Sequence, residues 1–433
     1  MIANTTGQPE QDASDSGASA AVQVPKPDFA SYSHSVYQSI REVNWDEWNS
    51  VRDETRDVFM DPRFIAAVEK SLTDCRYRHV VVRDGSGRPV ATACLSSFVL
   101  DGASLAQGAL RKLLELVSRV VPWLVRSKLI LCGLPVSAGQ SHIRFAPDAH
   151  RESVLRIVDS VARRFAAAEW ARLIIFKEID ADGCRELAPL VTLGYRRADS
   201  FPMNLANSGY RDFDDYVAHL ISDKRRKIRR SQKIFLKSGL RVVQLYGRDG
   251  AAEIYTDDVH RLYEAVVEGS EVQFEHLPAD LLRELARRLP DNTVFKFVYS
   301  GDQVVGFAFC LISDRTFHGM YVGMNYDVNS KYEVYFNLTY QSMDFGLKHR
   351  AQKICIGQSA DELKHRKFGC YQVPMSIFVK GGRWSARLLL KLVFSWIFPA
   401  RPITFPRETA DLDSNHGRDD TIVDAQVGAD ADK

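Results

Sequence analysis

"KYEVYFNLTYQSMDFGLKHRAQKICIGQSADELKHRKFGC", residues 331–370, decides how this chain is built. Tyr332 to His349 reads as a helix, "KICIG" (353–357) as a short buried strand, and the rest as a polar loop closed by Phe368-Gly369. That loop holds Asp361, Glu362, Lys364, His365, Arg366 and Lys367. Connections in compact domains usually take about four to six residues, and one glycine is enough to turn the chain. This loop is longer and far more charged. It leaves the end of a central strand, where ligands gather in α/β sheets. There Lys364 can stabilise an oxyanion as a carbonyl is attacked. Asp361 or Glu362 can accept a proton from an incoming amine. A merely solvated loop is the competing reading.

Working outward, the same order of elements occurs twice. "NTVFKFVYSGDQVVGFAFCLISDRTFHGMYVGMN" (292–325) gives three strands separated by turns, ahead of the helix, the strand "KICIG", the charged loop and a closing strand "VPMSIFVKG". Earlier, "HVVVRDGSGRPVATACLSSFVL" (79–100) reads as a hairpin turning at Asp84–Gly87. It is followed by a strand at 128–136, an amphipathic helix at 148–170, a strand at 171–179, a second helix, and "YRRADSFPMNLA" (195–206) as a final strand. The order repeats while the residues do not, so two related α/β units with mixed sheets are expected.

Between them lies "SDKRRKIRRSQKIFLKSG" (222–239), read as a helix opened by Ser222 or Asp223 and ended by Gly239. Lys224 to Lys237 carries eight cations in fourteen residues and no acid. At helical spacing each like-charged pair costs a few tenths of a kcal/mol. An anionic partner (phosphates of a cofactor or RNA, or an anionic lipid) is one reading, and a solvated helix the other. A strand feeding the Tyr- and Asn-rich helix after Asn325 offers a second anion site through unpaired first-turn amides.

Composition narrows the classes. Of 433 residues, 45% are hydrophobic and 26% charged, and the net charge is +2, so any electrostatic function must be local. The seven cysteines form no CxxC pair and no zinc spacing, and read as buried thiols in a reducing compartment. No GxSxG, Walker loop, GxGxxG or HExxH occurs. No metal is expected. Helix-turn-helix, zinc-finger and RNP patterns are missing, which argues against nucleic-acid binding as the sole function. The first thirty residues hold neither a basic nor an apolar leader region, so no signal peptide is expected. No apolar run reaches the ~20 residues that span a bilayer. "ALRKLLELVSRVVPWLV" (109–125) and "WSARLLLKLVFSWIF" (384–398) either lie in a membrane interface or pack on the core.

The basic segment, "GLKHRAQKICIGQSADELKHRKFG" and "VPMSIFVKG" together resemble the GNAT-like acyltransferases of the FemAB type, also described as BioF2-like or acetyltransferase-6 domains. The likeness runs over roughly residues 45–385 and is clearest in the second half. It implies tandem GNAT-like domains that transfer an acyl group to an amine. The donor would be an acyl-CoA, bound as a co-substrate, or an aminoacyl-tRNA as in the cell-wall peptidyltransferases. Lys364 falls on the family's loop lysine, with His365 as the alternative occupant because four residues separate Lys364 from Gly369 where three are usual. Lys224, Arg225 and Arg229 fall in the basic segment. Tyr321, Gly323 and Asn325 would line the donor channel, although the Q/R-x-x-G-x-G/A loop for a pyrophosphate is replaced by "NYDVNSKYEVY".

The resulting expectation is a disordered segment 1–40, a first GNAT-like domain 41–206, a basic and connecting helical region 207–290, a second domain 291–384 holding the site, an apolar helix 385–406 and a disordered tail 407–433. A cytoplasmic place, peripheral to the inner face of the membrane, goes with it. A non-catalytic membrane-associated adaptor is the reading from a different class.

Overall fold

A computed structural model of the chain describes residues 32–52, 57–101, 126–270 and 276–407. The strands are β1 Ser33–Tyr37, β2 Arg76–Arg83, β3 Pro89–Asp101, β4 Arg126–Cys132, β5 Ile143–Phe145, β6 Leu173–Ile179, β7 Arg196–Asp199, β8 Met203–Ala206, β9 Arg241–Tyr246, β10 Thr293–Ser300, β11 Gln303–Ile312, β12 Thr316–Met324, β13 Lys353–Cys355, β14 Tyr371–Val373 and β15 Ser376–Gly381. Helices of seven residues or more are α1 Pro62–Ser71, α2 Arg151–Ala168, α3 Phe213–His219, α4 Ser222–Leu236, α5 Asp257–Glu268, α6 Ala279–Arg288, α7 Tyr326–Tyr332, α8 Val334–Lys348, α9 Asp361–Phe368 and α10 Trp384–Ile397.

Two mixed sheets form. The first runs β1-β2-β3-β4-β6-β15-β7 with β5 on β3, and the second runs β14-β8-β13-β12-β11-β10-β9. Each contains one parallel pair, β4 with β6 and β12 with β13. On one face of the first sheet α2 buries Val154, Val158, Val161 and Phe165 of the stripe that three- and four-residue spacing predicts; Ile157 of that stripe is only partly buried, and Leu155 is buried in addition. On its other face α10 buries Leu390 and Phe394 against β4, β6 and β15. In the second sheet α8 covers the Phe317 and Ile354 face.

The sequence places a domain boundary after residue 206 and leaves β15 in the second domain. The structure differs on both points. β8 belongs to the second sheet, paired with β13 and β14, while β15 lies in the first, between β6 and β7. Pro202, which has no amide hydrogen to give a ladder, breaks the expected strand 195–206 into β7 and β8 and lets the chain cross between sheets. The exchange is pinned inside the first unit, where Lys380 of β15 reaches Asp159 of α2 at 2.8 Å with both side chains buried. One apolar cluster also joins the units, running from Phe59, Phe64 and Val68 to Leu281, Leu285, Phe295 and Phe309. Lys70 of α1 adds an ion pair to Glu284 of α6 at 2.6 Å.

Other expectations shift. Ser33–Tyr37, placed by the sequence in a disordered segment, forms β1 on the edge of β2. The helix expected at 332–349 is α8, and a further short helix, α7, precedes it, separated from it by Glu333 at φ 53°. The charged loop is largely helical, as α9. All seven cysteines are unbridged. The apolar stretch 109–125 lies outside the described residues. Among the described residues no helix is long and apolar enough to cross a membrane.

Candidate functional site

The site starts where β12 loses a neighbour. β12 pairs with β13 from Thr316 to His318, and past His318 it continues to Met324 with no strand paired on that side among the described residues. β13 meanwhile runs into Ile356–Ser359. The gap between them opens into a cleft of about 420 Å³ between the two units. The second unit contributes Gly319–Val322 of β12, Tyr335 and Thr339 of α8, and Lys364. The first contributes Ser137, Lys177, Glu178 and Phe201, and Tyr263 and Val267 of α5 form a further wall.

Both sheets carry a β-bulge at the cleft. In β12 the register shifts so that Tyr321 faces Phe309 and Gly319 faces Cys310, leaving Met320 as the extra residue. In β6 the shift lies between Phe176 and Ile179, where Lys177 and Glu178 share the span of Ile377. A bulge bends its strand and re-aims side chains. In β6 it turns the backbone of Glu178 to φ 58°, unusual for a residue with a side chain. Glu178 is buried; its Oε2 accepts a hydrogen bond from Ser137 Oγ at 2.5 Å and its Oε1 lies 3.7 Å from Lys177 Nζ. The sequence reading passed over Glu178, taking "LIIFKEI" as a plain strand. Its signal was the Lys-Glu pair that ends an otherwise apolar run.

Lys364 is 5% exposed and reaches the cleft from the first turns of α9. Its Nζ donates to the Gln358 carbonyl at 2.8 Å. Burial pulls its pKa down from 10.5 to about 8. The turn around it is held in left-handed backbone at Gly357, Ser359 and Ala360, with φ of 86°, 64° and 50°. Each such non-glycine residue costs of order 1–3 kcal/mol, a kind of strain that collects at functional sites. Gln358 ties this turn to the first unit by donating from Nε2 to the Phe201 carbonyl at 2.8 Å. The hydroxyl of Tyr335, on the same wall, is pushed up to about 12 by burial.

The other expected site residues separate. Tyr321 lines the cleft. Gly323 does not: an added Cβ would sit 2.2 Å from the Phe307 ring and 2.7 Å from the Tyr263 amide, so it is the place where α5 touches β12. Asn325 caps α7 by accepting from Val328 N at 3.1 Å, and Asn329 Oδ1 accepts from Tyr335 N at 2.9 Å, so one first-turn amide of each helix already has a side-chain partner. Asp361 is absent from the cleft lining, its Oδ1 accepting from Asn204 Nδ2 at 2.7 Å. His365 points to another side of α9, stacked on Phe405 at 4.3 Å between ring centres. Lys224 sits beside it, with Nζ 3.3 Å from His365 Nε2. Arg225 donates to the Ala218 carbonyl, and Arg229 pairs with Asp214 at 2.7 Å. The basic helix therefore borders α9 without entering the cleft. Among the described residues no group of His, Cys, Asp and Glu could hold a metal.

The sequence profile of the FemAB-like family, described as peptidoglycan biosynthesis/recognition, matches residues 141–376, more than half of the chain. The chain belongs to the FemAB-like family. The matched span of this FemAB-like protein runs from the edge of the first sheet through Lys364 to the first residue of the exchanged strand β15. Among similar solved structures, FemX shares the fold. The crystal structure of FemX is 11% identical, with a TM-score of 0.52, over 83% of this chain and 99% of that one. A tandem GNAT protein from the clavulanic acid biosynthesis pathway is 10% identical, with a TM-score of 0.45, over 81% and 99%. L-PGS from Bacillus licheniformis is 11% identical, with a TM-score of 0.45, over 78% and 97%. No curated protein matches the chain. The fold is mixed α/β, built on two mixed sheets. At the level of class the FemAB-like protein is a transferase of the acyl or peptidoglycan-related kind.

Proposed function

We propose that this protein is an N-acyltransferase that moves an acyl group from an activated carrier, in the first instance an acyl-CoA, to an amine in the cleft between its two units. The observation that carries the reading is the buried Lys364 in the wall of a cleft where β12 runs on with no strand paired beside it among the described residues. Past His318, where its pairing with β13 ends, β12 lies along the cleft, and such a strand edge suits an extended amide-bearing carrier arm, which adds to a sheet through main-chain hydrogen bonds.

The reaction needs a base and an acid. The amine nitrogen attacks the carbonyl carbon, a C–N bond forms, and its proton passes to the Glu178 carboxylate. Collapse of the tetrahedral intermediate breaks the C–S bond of a thioester, and the departing sulfur takes a proton from the Lys364 ammonium. With a pKa of about 8, that ammonium is matched to a thiol leaving group near 8.5. Before departure the same charge steadies the oxyanion. Exchange with solvent restores both groups.

A second donor has an observation in its favour. In the first turn of α7 the Val328 amide is already taken by Asn325, which leaves fewer donors there for the pyrophosphate of CoA. The family description points to peptidoglycan chemistry, which an aminoacyl-tRNA donor would serve with a C–O bond breaking in place of C–S. A thermal-shift series with short-, medium- and long-chain acyl-CoAs, alongside an aminoacyl-tRNA, tests both. A carrier that raises the melting point of the native protein and is consumed in the presence of amine names the donor. Failure of every carrier to bind, or normal turnover in a folded Lys364→Met variant, refutes the proposal.

A further inference from the structure

A second and smaller hollow lies on another side of α9 from the cleft, between that helix, α3 and the start of α4. It has a volume of about 60 Å³ and is lined by Asn207, His219, Lys224, His365, Gly369 and Tyr371 among others. That is room for one small group, since a water molecule takes up roughly 30 Å³ in the liquid. No acidic side chain lines it.

Two of its lining side chains carry donors with hydrogens to spare, Asn207 and Lys224. Asn207 is 6% exposed; its Oδ1 accepts from Gly209 N at 3.2 Å, which turns Nδ2 the other way. That Nδ2 has no hydrogen-bond partner among the described residues, although leaving a buried donor unmade costs about 1–3 kcal/mol. His365 Nδ1 donates to the Cys370 carbonyl at 3.0 Å, so Nε2 carries the lone pair that faces Lys224 Nζ at 3.3 Å. Lys224 makes no ion pair with a carboxylate within 4.0 Å among the described residues, whereas on the same helix Arg226 and Lys227 are neutralised by Asp223 and Arg229 by Asp214. An ammonium has three hydrogens, and one is accounted for by His365. A buried amide N–H₂ and an unneutralised ammonium at one small hollow are the donors that a tetrahedral oxyanion accepts from.

We infer that this hollow is a binding site for a single phosphate group, held by Lys224 Nζ and Asn207 Nδ2 behind the helix that carries Lys364. The inference does not depend on the transferase reading, because it is tested by binding alone. One chemistry has several sources: free phosphate, the phosphate ester of a nucleotide, or a phosphomonoester lipid headgroup.

Titration calorimetry on the full chain, with inorganic phosphate as the first probe, decides it. Saturable binding is expected, weakened about tenfold or more by Lys224→Met, the loss of one charge-assisted hydrogen bond. Asn207→Asp, which puts a carboxylate where the donor stood, should abolish it. Lys227→Met, on the same helix but paired with Asp223, should leave it unchanged. Asn207 is buried and its variant can fail to fold, whereas Lys224 is partly exposed, so circular dichroism on both keeps the test intact. A mononucleotide 5′-phosphate and vesicles containing phosphatidic acid are the second and third probes, and whichever binds more tightly than inorganic phosphate identifies the source. The inference is overturned if none of the three binds saturably, if binding is indifferent to Lys224→Met, or if Lys227→Met weakens it as much as Lys224→Met does.

Discussion

Replacing Lys364 by methionine should make the protein more stable near neutrality while removing its chemistry. Lys364 is almost fully buried, and burial lowers its pKa from 10.5 to about 8. The difference, at about 1.4 kcal/mol per pH unit, means that holding the ammonium in the folded protein at pH 7 costs roughly 3 kcal/mol. Methionine keeps the length and apolar stem and removes that cost. It also removes the hydrogen bond to the Gln358 carbonyl, worth about 1 kcal/mol. A net gain of about 2 kcal/mol follows at pH 7. Between pH 8 and 10.5 the unfolded chain still holds the lysine proton while the folded protein has released it, so the wild type gains stability as pH rises through that window. Methionine does not titrate, so the variant lacks this rise and its advantage closes, turning into a deficit of about 1 kcal/mol once both states are neutral. Urea unfolding of both proteins at pH 7 and near pH 10.5, followed by tryptophan fluorescence, reads the difference directly, because every other titrating group is common to the pair. A variant less stable than wild type at pH 7, or a stability difference that does not move with pH, would show that Lys364 is not a buried lysine with a lowered pKa and would remove the basis for its role as acid.

Glu178→Gln should lower transfer by about 100-fold or more while shifting the melting point little, since the amide can still accept from Ser137 Oγ. Transfer in the wild type should also fall as pH rises past about 8, where Lys364 gives up the proton meant for the leaving group, and a pH–rate profile without that limb would contradict the assignment. Lys380→Ala leaves the buried Asp159 carboxylate without its partner on the exchanged strand and should cost about 3 kcal/mol in urea unfolding, with Lys380→Met on an Asp159→Asn background recovering part of it. Gly323→Ala forces a methyl group into the Phe307 ring and the α5 backbone, so a loss of about 1–3 kcal/mol and a distorted Tyr263 wall are expected; a normal melting point would show that α5 can move away from β12.

The stretch 331–370 made part of this legible. Helix, strand and charged segment follow one another as its periodicity indicates, and Lys364 lines the cleft. The segment's helical form was less readable, because α9 begins after two left-handed residues, Ser359 and Ala360, that no local propensity favours. The basic helix was plain from its charge, but its direction was not. The cations Arg225 and Arg229 meet a carbonyl and a carboxylate of the neighbouring α3 region instead of the cleft. Glu178 was hidden because its placement depends on a bulge, which is set by the pairing of β6 with β15, more than 190 residues further along the chain.

Sequence alone therefore determined local matters: most of the strands and helices, the doubled order of elements, the cationic surplus of 224–237 and Lys364 in the charged segment that follows β13. These rest on side-chain size, periodicity and charge within a window of a few turns. Only the tertiary structure decided that β8 and β15 trade sheets, that the cleft lies between the units, and that Glu178 stands in the same cleft as Lys364. Strand partners, register and bulges are set by contacts between residues far apart in the chain, and no short window of sequence carries that information.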